Sequence, residues 1–212
     1  MFGDPVKNEK GWEKKTLEGF AKKEKNSIVD GPFGASIKEN DYFEKGIPII
    51  RINNIRDKYY DNEYKFLKEE KYNELIRSKV DFEDILVARV GNTIGKSCIF
   101  DKKFKALLST TGVCKISVDQ NKNNLIFVFK QIRFTSFIRY IQSKIQGAGQ
   151  PYLNLKMIKN FELINPPLSL QTEFANRIAK IEEQKNLAQE ELAKSEKLFQ
   201  SLLQKAFNGE LS

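Results

Sequence analysis

The glycine-rich run Gly91–Ser97 (Gly-Asn-Thr-Ile-Gly-Lys-Ser) holds the residue types that cradle phosphates. A nucleotide-binding loop of this kind has four residues between its glycines, whereas only three separate Gly91 from Gly95. The run also leads into a strand-like segment, so no helix N-terminus would present its backbone amides to a phosphate. The spacing therefore favours a tight hairpin turn, in which the two glycines supply positive φ angles.

Two further motifs resemble parts of enzymes but lack the residues that would complete them. Asn165-Pro166-Pro167-Leu168 has the form of the loop with which amino-methyltransferases hold a flipped adenine, but a leucine stands where an aromatic ring would stack on the base. No strand with a glycine-rich cofactor turn precedes it at a suitable distance, so a Pro-Pro break before a helix is the better interpretation. Glu63-Tyr64-Lys65 matches only the last half of a metal-nuclease motif and is attributed to chance.

The sequence contains no histidine. This excludes histidine-dependent catalytic triads, histidine general bases, and zinc or iron sites with histidine ligands. Together with the incomplete motifs, it predicts a protein with no catalytic residue, no metal ion and no bound cofactor.

The net charge of +8 is distributed unevenly along the chain. From Leu168 onward there are six basic and seven acidic residues, a net charge of −1, whereas the remaining 30 basic and 21 acidic residues give the first part +9. A polyanion-binding face in the N-terminal part, followed by a neutral protein-contact element, would explain this division. Plain solubility is the alternative explanation.

Residues 12–165 carry the apolar patterns of a mixed α/β fold. Strand-like runs occur at Ile47–Ile52, Ile85–Val90, Lys96–Phe100, Gly112–Val118 and Phe161–Ile164. Helical spacing is present over Lys68–Ser78, with Tyr72, Leu75 and Ile76, and over Leu125–Ile145, with Val128, Ile132, Ile138, Ile141 and Ile145. Because no βαβ unit repeats, we predict an irregular mixed sheet, α/β (α+β), and not a doubly wound one.

Cellular location is predicted from what the chain lacks. No stretch approaches the roughly 18 uninterrupted apolar residues that span a bilayer, and Met1–Lys10 has no apolar core like that of a signal peptide. Cys98 and Cys114 lie inside apolar runs, which predicts buried reduced thiols. We therefore expect a cytoplasmic protein that does not contact a membrane.

A long helix is predicted after the Asn165-Pro166-Pro167 break, with Ser169 as its N-cap and Asn208-Gly209 as its stop. From Ser169 to Lys205 it would measure about 55 Å, too long to be covered by the domain before it, so its apolar stripe needs a partner helix. Two polar seam positions, Lys185 and Ser195, either fix register and orientation or mark a locally weak seam. The whole heptad seam is Phe174, Ile178, Ile181, Lys185, Ala188, Leu192, Ser195, Phe199, Leu202 and Ala206.

Several runs, taken in order, resemble the specificity subunits of type I restriction–modification systems across nearly the whole chain. Gly31–Ser36 followed by Gly46–Arg51 is similar to the opening of that family's target-recognition domain. Similarity to the later landmarks of that domain is found at Val90–Lys96, at Gly147–Leu155, and at Pro166–Leu168 with Gln171. The end of the family's helical region is similar to Leu198–Leu203 with Ala206–Leu211. The resemblance implies a lead-in (1–11), a target-recognition domain (12–167), a spacer and dimerisation helix (168–208) and a tail (209–212).

The chain departs from this family in having one recognition domain and one helix where full-length members usually carry two of each. Met1–Pro5 with Gly11-Trp12 resembles the junction that leads into the second recognition domain of a full-length member. The resemblance thus implies a half-subunit, expressed alone naturally or by design, which restores the missing half as a two-fold dimer through its helix. Antiparallel helices would then hold two domains over a bipartite palindrome, with half-site centres about 34–36 Å apart.

By the same resemblance, the partners are double-stranded DNA, a second copy of the chain, and modification subunits that carry the methyl-donor chemistry. A restriction subunit, with its nucleotide, would join through them. Base reading requires polar groups on loops, with Lys and Arg on phosphates. The candidates are Lys38, Arg51, Asn53, Asn54, Arg89, Asn92, Lys96, Ser109, Thr110, Thr111, Gln150, Tyr152 and Asn154.

Alternatives stay open for these residues and for the function. Turn chemistry or a solvated surface would explain each candidate, and Arg51 and Arg89, which lie in apolar strands, would then pair with carboxylates at the core edge. A non-catalytic basic adaptor that binds RNA or an acidic protein is the main alternative function, although most aromatic residues occupy apolar-patterned positions and would not form RNA-stacking platforms. A stand-alone nuclease or methyltransferase is disfavoured by the incomplete motifs.

Overall fold

The computed structural model describes residues 1–34, 36–55, 63–144 and 151–210. It divides into two units, Met1–Gln171 and Thr172–Ser212. The strands are β1 (Lys14–Thr16), β2 (Ile28–Asp30), β3 (Ile47–Ile50), β4 (Lys65–Leu67), β5 (Lys79–Val80), β6 (Ile85–Ala88), β7 (Ser97–Ile99), β8 (Ala106–Leu108), β9 (Val113–Ile116) and β10 (Glu162–Ile164). The helices are α1 (Leu17–Phe20), α2 (Glu69–Glu74), α3 (Leu125–Ile132), α4 (Thr135–Lys144), α5 (Leu155–Lys159) and α6 (Leu168–Phe207).

The strands of the first unit form two four-stranded sheets and one two-stranded ribbon. The order in the first sheet is β2-β9-β6-β7, and all its neighbours are antiparallel. In the second sheet the order is β4-β3-β8-β5, with β3 and β8 parallel and the outer pairs antiparallel. The ribbon pairs β1 with β10. This mixed α/β arrangement with a long C-terminal helix confirms the predicted fold class.

Strand β6 lies at the centre of the core, because both of its faces are buried. Ile85 and Val87 join the cluster formed with helices α1, α3, α4 and α5. Leu86 and Ala88 face the other way, into a cluster with residues of the second sheet such as Leu108. Successive side chains of a strand point to opposite faces, so a run that is apolar at every position must be covered on both sides. The chain satisfies this with helices on one face and a second sheet on the other.

All five strands predicted from apolar runs are confirmed, with slightly shorter bounds. The Gly91–Ser97 run connects β6 to its antiparallel neighbour β7, and Gly91 and Gly95 have φ angles of 56° and 86°. The hairpin prediction is therefore correct. The predicted helix over 68–78 is α2 followed by a short 3₁₀ turn, Ile76–Ser78.

The single helix predicted over Leu125–Ile145 is wrong, because the chain turns at residues 133–134 and forms α3 and α4. Ile132 and Phe137 are both buried, although five residues of a straight helix would place them about 140° apart. The turn lets both side chains reach the same core. Ile145 lies outside the described residues.

Helix α6 begins one residue before the predicted N-cap. The Pro167 carbonyl accepts hydrogen bonds from the backbone amides of Leu170 and Gln171 (3.0 and 3.1 Å), so Ser169 is inside the first turn and the N-cap prediction is wrong. At the other end, Gly209 has a φ of 70°, and its amide and that of Glu210 bond back to Ala206 and Lys205. This is the Schellman arrangement, and it confirms the predicted stop. No helix among the described residues is both long enough and apolar enough to cross a bilayer.

Both cysteines are buried and unpaired, as predicted. Desolvation in the apolar core raises the pKa of each thiol to about 12. At pH 8 we therefore expect the folded protein to react with a thiol-specific disulfide reagent at least about a hundredfold more slowly than the urea-unfolded protein. The time course of absorbance from the released thiolate measures this, and rapid native-state modification of either cysteine would contradict the burial of both thiols.

Candidate nucleic-acid interface

The ends of several strands meet at one edge of the first unit. Ala88, the last residue of β6, pairs with Val113 at the start of β9, and Asp30, the last residue of β2, pairs with Cys114. Strands β3 and β8 run parallel and so end on the same side of their sheet. Because residues 109–112 connect the end of β8 to the start of β9, this edge is shared by the two sheets. The segments that leave these strands are thereby brought together.

Close backbone approaches hold these segments against each other. A Cβ added to Gly31 would stand 2.3 Å from the carbonyl oxygen of Thr110, so the two backbones touch here. The same construction at Gly112 meets side-chain atoms of Val90 (3.5 Å) and Ile52 (3.9 Å). We call residues 30–34, 51–54, 89–96, 109–112 and 151–154 the loop cluster.

Segment 151–154 joins the cluster through β-type hydrogen bonds to the segment that follows β6. The amide of Gly91 donates to the carbonyl of Pro151, and the amide of Leu153 donates to the carbonyl of Arg89, both at 2.9 Å. Val90 and Tyr152 form an isolated antiparallel bridge between these bonds. Tyr152 is thus fixed beside the β6–β7 hairpin although it lies some 60 residues away in the sequence.

Arg89 lies at the centre of the loop cluster, and only 1% of its surface is exposed. Its Nη1 donates to Asp30 Oδ2 (2.7 Å) and to the carbonyl of Thr111 (2.8 Å). Its Nε donates to the carbonyl of Leu153, and its Nη2 donates to the hydroxyl of Tyr152, both at 2.8 Å. One side chain therefore connects three separate segments of the cluster.

Asp30 supplies the charge that the buried guanidinium needs. Besides Arg89, its carboxylate contacts Nη2 of the half-exposed Arg77 at 3.3 Å. The backbone carbonyl of Asp30 accepts from the buried hydroxyl of Ser78 at 2.9 Å. A buried cation is tolerated only when it is both paired and hydrogen-bonded, and this network meets both conditions. Carboxylate pairing, the alternative left open for Arg89, is what the structure contains.

The predicted binding residues divide by exposure. Exposed members are Lys38, Asn53, Asn92, Lys96, Thr110, Tyr152 and Asn154, while Arg51 and Thr111 are half-buried. Asn54, Arg89 and Ser109 are buried, and Gln150 lies outside the described residues. Except for Lys38 and Gln150, all of them belong to the loop cluster by their segments.

Local hydrogen bonds explain several of these polar residues. The buried Asn54 accepts from the Arg51 amide (2.8 Å) and donates to the Glu63 carbonyl (2.7 Å), which fixes the turn after β3. Arg51 Nη2 also reaches the Glu63 carbonyl, at 3.3 Å. Asn154 accepts from the amide of Met157 and caps α5. Lys38 stands apart, in a short turn closed by a bond from its amide to the Asp41 carboxylate.

Phe33 is a member of the cluster that sequence reasoning did not choose. It is 74% exposed, directly after the Gly31–Thr110 contact. A single exposed apolar side chain is ordinary on a protein surface and does not by itself mark a binding site. The sequence signal that could have identified Phe33 is its position within the run Gly-Pro-Phe-Gly, which no apolar periodicity explains.

Comparison with known proteins identifies the kind of domain that carries this cluster. A family model described as the type I restriction modification DNA specificity domain matches residues 9–197. The chain belongs to this family. The EcoKI specificity subunit of Escherichia coli strain K12 is 30% identical over 207 aligned residues, and the EcoBI specificity subunit of E. coli is 29% identical over 184. These matches cover 84% and 83% of this chain but only 40% and 38% of the relatives.

Solved structures share the fold of this specificity domain. A chain from a study of complex assembly and conformational transition of the type I R-M system superposes with a TM-score of 0.60 at 18% identity, over 95% of this chain and 47% of that one. The HsdS subunit from Thermoanaerobacter tengcongensis gives 0.61 at 15% identity, over 95% and 46%. This chain therefore spans less than half the length of the relatives that it matches.

The contact between Gly31 and Thr110 gives a test of the cluster. Gly31→Ala places a methyl group against a backbone that cannot move aside, so we expect its urea midpoint to fall by the equivalent of about 1–3 kcal/mol. Gly34→Ala is the matched control, because nothing lies within 4 Å of its added Cβ, and its effect should stay within about 0.5 kcal/mol. Equal midpoints for the two variants would mean that the two segments do not touch.

Proposed function

We propose that this specificity domain reads double-stranded DNA as a non-catalytic half of a type I specificity subunit. The observation that carries the proposal is the loop cluster, in which exposed polar side chains from four separate segments are assembled at one edge of a positively charged domain. A recognition surface needs donors and acceptors held at fixed spacing, with basic residues around them for phosphates. The specificity-domain family of the chain supports DNA as the polyanion.

The exposed and buried members of the cluster have different parts in this proposal. Asn53, Asn92 and Thr110 present amide and hydroxyl groups, which suit the mixed donor and acceptor edges of the major groove. Lys96 and the half-buried Arg51 are suited to phosphate contacts. Buried Asn54, Arg89 and Ser109 do not reach the surface and hold the segments in place.

Helix α6 presents an apolar stripe that supports dimerisation. Beyond Ile181 every large apolar side chain of this helix is exposed, with Leu192 at 60% and Phe199 at 61%. Helices in proteins gain most of their stability from packing such a stripe against a neighbour, so an uncovered stripe favours association with another helix. A second copy of the chain supplies an identical stripe.

The seam of α6 is symmetric about residue 190, which favours an antiparallel pair of identical helices. When two copies run in opposite directions with residue 190 level with itself, each seam residue faces another seam residue. The facing pairs are Phe174 with Ala206, Ile178 with Leu202, Ile181 with Phe199, Lys185 with Ser195, and Ala188 with Leu192.

This register also accounts for the two polar seam positions. In a parallel dimer Lys185 would face the Lys185 of the partner, and two ammonium groups would be desolvated together. In the antiparallel register each lysine faces a Ser195 hydroxyl and has Glu196 of the partner next to it. Two of the layers also match a large residue with an alanine, Phe174 with Ala206 and Leu192 with Ala188. Lys185 and Ser195 would thus set both the antiparallel orientation and the register of the two α6 helices.

A two-fold dimer of this kind would read a bipartite palindrome and would dock modification subunits that carry the methyl donor. The dimeric assembly, the palindromic target and a cytoplasmic location are inferred from the family. They are part of the proposal because the chain spans less than half the length of its relatives. The alternative, a basic adaptor that binds RNA or an acidic protein, predicts no enrichment of a DNA sequence.

The proposed function is tested by selecting from a random double-stranded DNA pool, with the light-scattering mass of the purified protein measured alongside. We expect a dimer of about twice 24.5 kDa that enriches a gapped palindrome. A random RNA pool run in parallel serves as the control for general polyanion binding. A monomer that enriches no DNA sequence would contradict the proposal and favour the adaptor.

The helix seam is tested with two leucines that are almost equally exposed. Leu192→Glu puts a charge into the central layer, so we expect a monomer by light scattering. Leu187→Glu lies outside the seam and should remain a dimer, although Leu187 is 55% exposed against 60% for Leu192. Equal loss of dimer in both variants would show that the seam is not the contact.

Disulfide cross-linking distinguishes the two orientations. In the antiparallel register a mixture of Ala188→Cys and Leu192→Cys proteins should form a cross-linked dimer, because these residues face each other and fall within disulfide reach. Ala188→Cys alone should remain uncross-linked. The opposite pattern on a non-reducing gel indicates parallel helices, and the buried native thiols do not interfere.

A further inference from the structure

Tyr152 and Arg89 form a unit whose geometry leaves one hydrogen-bond donor facing outward. The Arg89 Nη2 donates to the Tyr152 hydroxyl at 2.8 Å, and the guanidinium carbon lies 4.9 Å from the centre of the tyrosine ring. Arg89 is buried, but Tyr152 is 43% exposed. The ring is therefore held from the protein side and open to solvent on the other.

The chemistry of the two groups decides which way the hydroxyl proton points. A guanidinium carries only donors, so the tyrosine oxygen must act as the acceptor towards Arg89. The single O–H of Tyr152 is then directed away from the buried cation. Donation from a charged group also polarises the hydroxyl and makes it a stronger donor to a third group. Arg89 thereby turns an ambivalent hydroxyl into a directed donor.

Fixed backbone contacts determine where this donor stands. The segment that carries Tyr152 is bonded to Arg89 through the Leu153 carbonyl and amide, and the same guanidinium binds the Thr111 carbonyl. The spacing between Tyr152 and the exposed Thr110 is thus set by one buried side chain. A ligand would meet both groups without having to order either loop.

We propose that the Tyr152 hydroxyl donates a hydrogen bond to an acceptor atom of the bound DNA, and that Arg89 is the positioning residue that aims it. This assignment rests on the proposed function. The acceptor is either a phosphate oxygen or a base-edge atom such as a purine N7, a guanine O6 or a thymine O4. Both sources have the same chemistry, and binding measurements distinguish them.

The test is Tyr152→Phe in the full chain, which keeps the ring beside Arg89 but removes the outward O–H donor together with the acceptor of the Arg89 Nη2, so the urea midpoint is measured alongside the Kd. We expect the Kd for the enriched DNA target to rise about fivefold to tenfold, the effect of losing one hydrogen bond. Tyr42→Phe is the matched control, since its ring is also covered by a cation, Lys65 at 4.5 Å, and it lies outside the loop cluster. Fluorescence anisotropy with labelled target measures both variants.

Two DNA sequences separate the possible acceptors. A phosphate contact weakens binding to the target and to a scrambled duplex by the same factor, whereas a base contact weakens only the target and relaxes preference at one base pair. Unchanged Kd values for both duplexes in Tyr152→Phe would overturn the inference while leaving the proposed function intact. A wild-type protein that enriches no DNA sequence would overturn the proposed function itself.

Arg89→Lys tests the positioning role. A lysine keeps the charge, but its single nitrogen cannot serve Asp30, Thr111, Leu153 and Tyr152 at once. If Arg89 acts through Tyr152, Arg89→Lys should reproduce the pattern of Tyr152→Phe on the two duplexes, whether uniform or confined to the target, and the double variant should add little to the Kd of Arg89→Lys alone. A merely structural arginine would lower the urea midpoint without reproducing that pattern, and fully additive losses in Kd would overturn the positioning role. If Arg89→Lys does not fold, Tyr152→Phe still decides the contact.

Discussion

The ion pair between Arg89 and Asp30 is the interaction on which the loop cluster depends. A guanidinium removed from water loses a large solvation energy, and only a partner charge together with nearly complete hydrogen bonding compensates for that loss. The carbonyls of Thr111 and Leu153 complete this set at 2.8 Å. Any displacement of these loops would leave a buried donor unpaired, which costs about 1–3 kcal/mol or more for a charged group. The ion pair and its hydrogen bonds thereby tie these loops to one another and to the end of β6.

The two-layered core places this ion pair where the sheets meet. Strand β6 is covered on both faces and ends one residue before Arg89. The backbone of Arg89 is therefore held in place by the buried strand directly before it. Its neighbour β9, and β2 on the far side of β9, bring residues 111–112 and Asp30 to the same edge through antiparallel pairing. The polar network is thus a direct extension of the apolar packing. A shift in sheet register by one residue would turn Asp30 to the other face and separate the pair.

Five of the ten described strands and the 40-residue helix α6 could be predicted from the sequence, by apolar runs and heptad spacing. The other five strands could not. Among these, β1, β4 and β5 have two or three residues and lie in no apolar run, and they form because β10, β3 and β8 offer them hydrogen bonds. The break between α3 and α4 was missed for the same kind of reason, since the core, and not local propensity, requires the turn. Non-local pairing leaves no local pattern to detect.

The candidate site was predictable by segment but not by side chain. Polar residues at predicted turns lie in four of the five segments that converge, but none lies in 30–34. The orientation of these residues depends on partners distant in sequence, as with Arg89 and Asp30, 59 positions apart. This arrangement matters for specificity. One well-placed base contact is worth about 1–3 kcal/mol of discrimination, so a single small cluster distinguishes few base pairs. Two copies held by a rigid helix pair would add their discrimination energies, but only if neither cluster spends binding energy on ordering its loops. In the proposed mechanism, a buried ion pair that orders the loops before DNA binds and a symmetric seam that would pair two copies are therefore complementary requirements.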